Sequence, residues 1–185
     1  MAPNSRTRRD NITLAIDSRM LKELKYEAEK DGLSLNAKVC EVLSKYVTFY
    51  KCAEEQECMV IPSKIYSLML EKIDERDGIS WLTTTVKEIW NSMLLEYNVA
   101  HDIREFVKFV FGNIALRAGM YSSFKHEEDG NGYLRLVFKH KYGAKWSRML
   151  AEAFSYALDS YFNMVPERRI SDGTMELKMF LRSPV

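Results

Sequence analysis

The amino-acid sequence predicts an α+β protein in two parts: a short strand-helix-helix module, then a larger domain of three helices, a β-hairpin, a long helix and C-terminal strands. Three observations carry this reading. Apolar residues alternate over 11–17 and switch to helical spacing over 18–50. The run Asp129-Gly130-Asn131-Gly132 separates two alternating stretches, a strong hairpin signal. A long amphipathic stretch from Lys145 to Phe162 is followed by a second tight turn, Ser171-Asp172-Gly173.

In the segment 11–17, Ile12, Leu14 and Ile16 fall on one face and Asn11, Thr13 and Ala15 on the other, the pattern of one half-buried strand. A helix over 18–31 follows. Asp17 or Ser18 can cap it, Met20, Leu21, Leu24 and Ala28 line one side, and Gly32 ends it. Ser34 or Asn36 can cap a second helix running to about Tyr50, with Leu35, Val39, Val42, Leu43, Tyr46 and Val47 at helical spacing. No second strand lies nearby, so the strand's N–H and C=O groups and its apolar face have no partner inside the module. The same strand from a second copy is the simplest partner. The sequence therefore predicts a homodimer, open to higher assembly.

Residues 51–58 are polar and break the apolar pattern before Met59-Val60-Ile61-Pro62 restarts it, which predicts a linker there. The expected organisation is a flexible basic arm at 1–10, the module at 11–50, the linker at 51–58 and the α+β domain at 59–185. Helical patterns at about 63–76, 80–97 and 101–119 open that domain, separated by Asp77-Gly78 and Asn98-Val99-Ala100. Trp81, Trp90, Phe106 and Phe109 are its expected aromatic core. Strands are expected at 121–128, 133–142, 167–171 and 174–181, making a small antiparallel sheet.

Lys and Arg number 27 against 26 Asp and Glu, so net charge does not single out an acidic partner. The positive charge is uneven, with Arg6, Arg8 and Arg9 in an arm whose sole acid is Asp10. No run reaches the ~18 apolar residues of a membrane span, and the first ten residues resemble no export signal. A cytoplasmic, nucleoid-associated protein with no membrane partner is expected. Cys40, Cys52 and Cys58 are read as reduced thiols, since no CxxC or Cys/His metal spacing is present. His101, His126 and His140 share no metal spacing either, and no metal or cofactor is expected. His140 falls on the strand face of Leu134, Leu136 and Phe138, where a buried imidazole needs a hydrogen-bond partner. The basic positions Arg135, Lys139, Lys141 and Lys145 read as a solvated face. Without a nucleophile elbow, a phosphate-cradling loop or a dinucleotide fingerprint, the chain is not expected to be an enzyme.

The strand Asn-Ile-Thr-Leu-Ala-Ile, the helix after Asp17-Ser18, the turn Gly32-Leu33-Ser34-Leu35-Asn36 and the apolar period of the second helix together resemble the ribbon-helix-helix DNA-binding proteins related to Arc, MetJ and CopG. The resemblance covers 11–50. The segment from His140 to Ser147 is similar to a stretch of archaeal ribbon-helix-helix proteins with a C-terminal α+β domain. In that family an antiparallel ribbon, one strand per subunit, lies in the major groove. The resemblance implies a dimeric, sequence-specific transcriptional regulator, a repressor type, with double-stranded DNA as partner. It gives base reading to Asn11, Thr13 and Ala15, and phosphate binding to Ser34, Leu35 and Asn36 at the second helix's N-terminus and to Arg6, Arg8 and Arg9 in the arm. The larger domain would then set assembly, or take a small-molecule effector or a protein partner. The alternatives are an antitoxin with a toxin-binding C-terminal domain and an architectural or partition DNA-binding protein.

Overall fold

Asp17 starts the first regular element. Its Oδ1 accepts from the backbone N–H of Arg19 (2.8 Å) and of Met20 (3.3 Å), satisfying two donors that open a helix without partners. The computed structural model describes residues 10–55, 57–91, 94 and 102–181, the side chains of Cys52 and Ile89 excepted. The chain is mixed α and β and divides into two compact units, 1–46 and 47–185.

In the first unit, α1 (Ser18–Lys30) and α2 (Leu35–Lys45) pack against each other. Residues 11–17 form no strand in the single chain, unlike the sequence expectation. The reason is the one the sequence itself supplies, because no segment of the unit offers them a ladder. The expected linker also changes character. Helical backbone continues beyond Lys45 through a π-helical turn at Tyr46–Tyr50 into α3 (Lys51–Glu55), so Lys51, Glu54 and Glu55 are exposed on a helix, while Glu57 and Cys58 lie beyond it.

The second unit continues with α4 (Ser63–Lys72) and α5 (Glu75–Thr85), the latter extended by a π-helical segment at Val86–Trp90. The break between α4 and α5 is not at Asp77-Gly78. It lies at Ile73-Asp74, where Ile73 turns extended and Asp74 caps α5 through the N–H of Arg76 (2.8 Å). Gly78 is buried inside α5, and a Cβ there would come 2.2 Å from Cε of Met149. This glycine allows two helices to approach closely and does not interrupt one. The short helix α6 (Ile103–Phe106) runs into a longer π-helical segment, Val107–Ala115. Residues 98–100, where a second break is expected, lie outside the described residues.

Strands β1 (Ser123–Glu128) and β2 (Tyr133–Lys139) form the expected hairpin. Asp129 stabilises its turn by accepting the N–H groups of Asn131 and Tyr133 at Oδ1, both at 2.9 Å. After α7 (Gly143–Phe162), strands β3 (Glu167–Ser171) and β4 (Thr174–Phe180) complete a four-stranded antiparallel sheet of order β1-β2-β4-β3. Register places Leu136 opposite Leu177 and Phe138 opposite Met175, so the alternating buried residues of both central strands share one face. Trp146, Met149, Leu150, Phe154 and Leu158 of α7 belong to the same buried cluster, as do Phe106 and Phe111. Of the expected aromatic core, Trp90 and Phe106 are buried and Phe109 packs partly buried against it, but Trp81 is 52% exposed. Helical period alone could not tell which side of α5 it would occupy.

The buried Tyr121 hydroxyl donates to the Phe111 carbonyl at 2.5 Å. Tyr121→Phe leaves that buried acceptor without its donor, and a loss of ~1–3 kcal/mol is expected. Urea unfolding checks this, through a lower midpoint with an unchanged slope.

Candidate nucleic-acid interface

The sequence-predicted reading residues lie immediately before α1. Asn11, Thr13 and Ala15 are exposed, and so are Ile12 (69%) and Leu14 (49%), while Ile16 is half-buried. None of residues 11–16 makes a backbone hydrogen bond to another described residue. The segment thus presents unsatisfied backbone and apolar side chains together, a combination that invites strand pairing. Arg6, Arg8 and Arg9 lie outside the described residues.

The link between the helices is built by a glycine. The Leu33 N–H donates to the Ala28 carbonyl (2.8 Å) and the Gly32 N–H to the Glu29 carbonyl (3.1 Å), with Gly32 at φ +66°. This paired closure of a helix end needs a left-handed residue at the position of Gly32. Two residues later Ser34 caps α2, its Oγ accepting from the Ala37 N–H at 3.1 Å. Ser34, Leu35 and Asn36 therefore come together at the opening turn of α2, with Ser34 and Asn36 exposed. That turn carries free N–H groups and the positive end of the helix dipole.

Lys38 is the positioning residue that sequence reasoning missed. Its buried side chain reaches back to Asp31 at the end of α1 (2.5 Å) and also to Glu41 (3.2 Å), which in turn binds Lys45 (2.6 Å). Hydrogen bonding and charge from Lys38 lower the pKa of Asp31, and the Asp31 bond raises that of Lys38. Both groups thus stay charged across the neutral range. The bridge fixes α2 to the end of α1, which sets where the opening turn of α2 points. Its only sequence trace is a Lys seven residues after an Asp, across a turn, a spacing shared with many unrelated pairs.

No family model, curated protein or solved structure matches this chain. Its function is therefore argued from its own residues.

In the second unit, the candidates singled out by sequence turn out to be engaged. His140 is buried on the expected face. The Tyr142 N–H donates to its Nδ1 (3.2 Å), so Nε2 bears the proton and donates to Ser147 Oγ (2.9 Å), which donates to the Ser171 carbonyl (2.8 Å). The chain of bonds ties β2, α7 and β3 together. Of the basic positions, Arg135 pairs with Glu176 (2.7 Å), Lys141 donates to Ser63 Oγ (3.2 Å), and Lys145 donates to the carbonyls of Glu71 and Ile73 at the end of α4 (3.2 and 3.0 Å). These three side chains are held by structural bonds, while Lys139 is exposed, as expected of a solvated face. Among the described residues, no three His, Cys, Asp or Glu side chains are grouped to hold a metal ion, and no helix is long and apolar enough to cross a membrane.

Burial lowers the pKa of His140, partly offset by Asp172. The folded state then binds a proton less readily than the unfolded chain, so stability is lost as pH falls below the ordinary histidine value of about 6.5. Thermal midpoints of the wild type should drop between pH 7.5 and 5.5, and His140→Gln should flatten that slope while lowering the midpoint at pH 7.5. Parallel pH profiles for the two proteins would contradict the assignment.

Proposed function

We propose that this chain is a homodimeric, sequence-specific DNA-binding regulator in which residues 11–16 of two copies pair as an antiparallel ribbon. The observation that carries the reading is the state of that segment: exposed on both faces, without backbone partners among the described residues, and set directly before a capped two-helix unit. Pairing with a second copy satisfies alternate N–H and C=O groups and turns Ile12, Leu14 and Ile16 toward the helices. The opposite face, Asn11, Thr13 and Ala15, is then free for base edges. Asn bonds adenine bidentately, Thr accepts several partners, and the Ala methyl packs on thymine. The opening turn of α2 offers its free N–H groups to a phosphate, and Arg6, Arg8 and Arg9 add charge from the arm.

Selection of duplexes from a random pool with the full chain, at near-physiological salt, tests the reading. Enrichment of one motif supports a regulator. Affinity that is equal across unrelated duplexes would favour an architectural role instead.

Two predictions follow from the pairing. On the selected duplex, Asn11→Ala or Thr13→Ala should weaken binding by ~1–3 kcal/mol and leave non-specific binding unchanged in a competition titration. Leu14→Glu places a charge on the face that pairing buries, so sedimentation equilibrium should give a monomer and DNA binding should be lost with it. A dimeric Leu14→Glu variant that still binds would remove the ribbon.

A further inference from the structure

The second unit contains a cavity of about 520 Å³ with mostly apolar walls. Its composition has one anomaly. Among the described residues, Arg117 is the sole charged one lining it, and its Nη1 is buried with no hydrogen-bond partner among them. A guanidinium bordering apolar walls with one nitrogen unpaired and shielded from water is poorly compensated, and an anion bound against the same guanidinium would offset that cost. No carboxylate among the described residues lines the cavity to serve as that anion.

The walls are also built in an unusual way. All three π-helical segments among the described residues contribute: Phe49 and Tyr50 from Tyr46–Tyr50, Trp90 from Val86–Trp90, and Ile114 and Ala115 from Val107–Ala115. Such turns are rare in proteins and concentrate at functional sites. Tyr66 supplies a second polar group. It lines the cavity, its side chain makes no hydrogen bond to a described residue, and burial raises its pKa, so it keeps the proton it can donate.

We propose that this cavity binds a small apolar monocarboxylate, with the carboxylate on Arg117 and the hydrocarbon body between Trp90 and the aromatic residues of the first π-helical turn. The guanidinium fork matches a carboxylate in two parallel bonds. A phosphate group, with more charge and more acceptors, would need further cations that the walls do not carry. The volume suits a ligand of ordinary effector size. This inference concerns residues 47–185 and stands or falls separately from the DNA reading.

The test is titration of the full chain with decanoate and with decanol, of equal chain length but uncharged, read by tryptophan fluorescence and by the thermal midpoint. Trp81 and Trp90 lie in the walls and report occupancy. Decanoate should saturate with at least tenfold higher affinity than decanol. Arg117→Met, which keeps the side chain's bulk, should bring decanoate down to the level of decanol and leave decanol unchanged. Trp81→Ala, on the exposed wall, should weaken both ligands at least threefold while retaining the fold by circular dichroism. Equal affinity of the wild type for the two ligands, or no saturation by either, would overturn the proposal even if the Arg117 variant failed to fold. A decanoate preference that survives Arg117→Met, or affinities unmoved by Trp81→Ala, would overturn it as well.

Discussion

The packing of α7 is the constraint on which the larger unit depends. Ten of its twenty residues are buried, and they include Trp146, Met149, Leu150, Phe154 and Leu158 alongside Ala151, Ala153 and Ala157. The large residues meet the apolar face of β2 and β4, while the small ones leave room for neighbours to come close. Gly78 of α5 meets the end of the Met149 side chain so closely that a Cβ there would require Met149 to move. Arg148 then locks the same pair of helices from the outside through a bidentate bond to Glu75, at 2.8 and 2.7 Å. The Trp146 indole donates to the Met120 carbonyl at 2.8 Å and so ties the segment before β1 to the same helix.

Two of the π-helical segments near this helix have a traceable cause. Thr83, Thr84 and Thr85 each donate their hydroxyl to the carbonyl four residues back, those of Ile79, Ser80 and Trp81. Hydroxyls in that position compete with the helical ladder and loosen it. The π-helical segment at Val86–Trp90 begins at the next residue. In Val107–Ala115 the Phe111 carbonyl takes the Tyr121 hydroxyl, so a side chain supplies a donor to backbone within the widened segment. Widened turns shift the faces of their helices, and the cavity beside Trp90 and Ala115 lies where those shifted faces meet.

Local chemistry made much of this legible. Asp17, Gly32 and Ser34 mark the ends of α1 and α2 because caps and left-handed glycines act within a few residues, and the Asp129 turn and the alternation of β2 and β4 act over the same short range. What the sequence hid acts at long range. Gly78 reads as a breaker until Met149 is known to lie against it. Trp81 reads as core because helical period marks a stripe without saying what covers it. The helix at Lys51–Glu55, inside the expected linker, goes unread because a polar run and an exposed helix share one composition. The bond of Lys38 to Asp31 and the isolation of Arg117 Nη1 depend on side-chain placement that no spacing rule encodes.

The two units differ in how far they satisfy themselves, and the difference bears on function. In residues 47–185 the sheet, α7 and the aromatic cluster close on one another, and Phe106, Phe111, Phe138 and Phe154 are fully buried. Among the described residues of the first unit only Ala28 and Lys38 are buried, and one of those is a charged side chain. Met20, Leu33, Val42 and Leu43 remain at least two-fifths exposed, beside the uncovered Ile12 and Leu14. A unit of this size with so little interior does not offset the entropy of ordering its chain, and units below about 40 residues usually need a metal, disulfides or a second copy. No metal-binding group occurs among the described residues, and Cys40, the unit's only cysteine, is exposed and unpaired. A second copy would supply apolar surface, and the proposed pairing through 11–16 would cover backbone and side chains in one step. The proposed DNA-reading face is what such pairing would leave exposed, so in this proposal assembly and recognition rest on the same six residues.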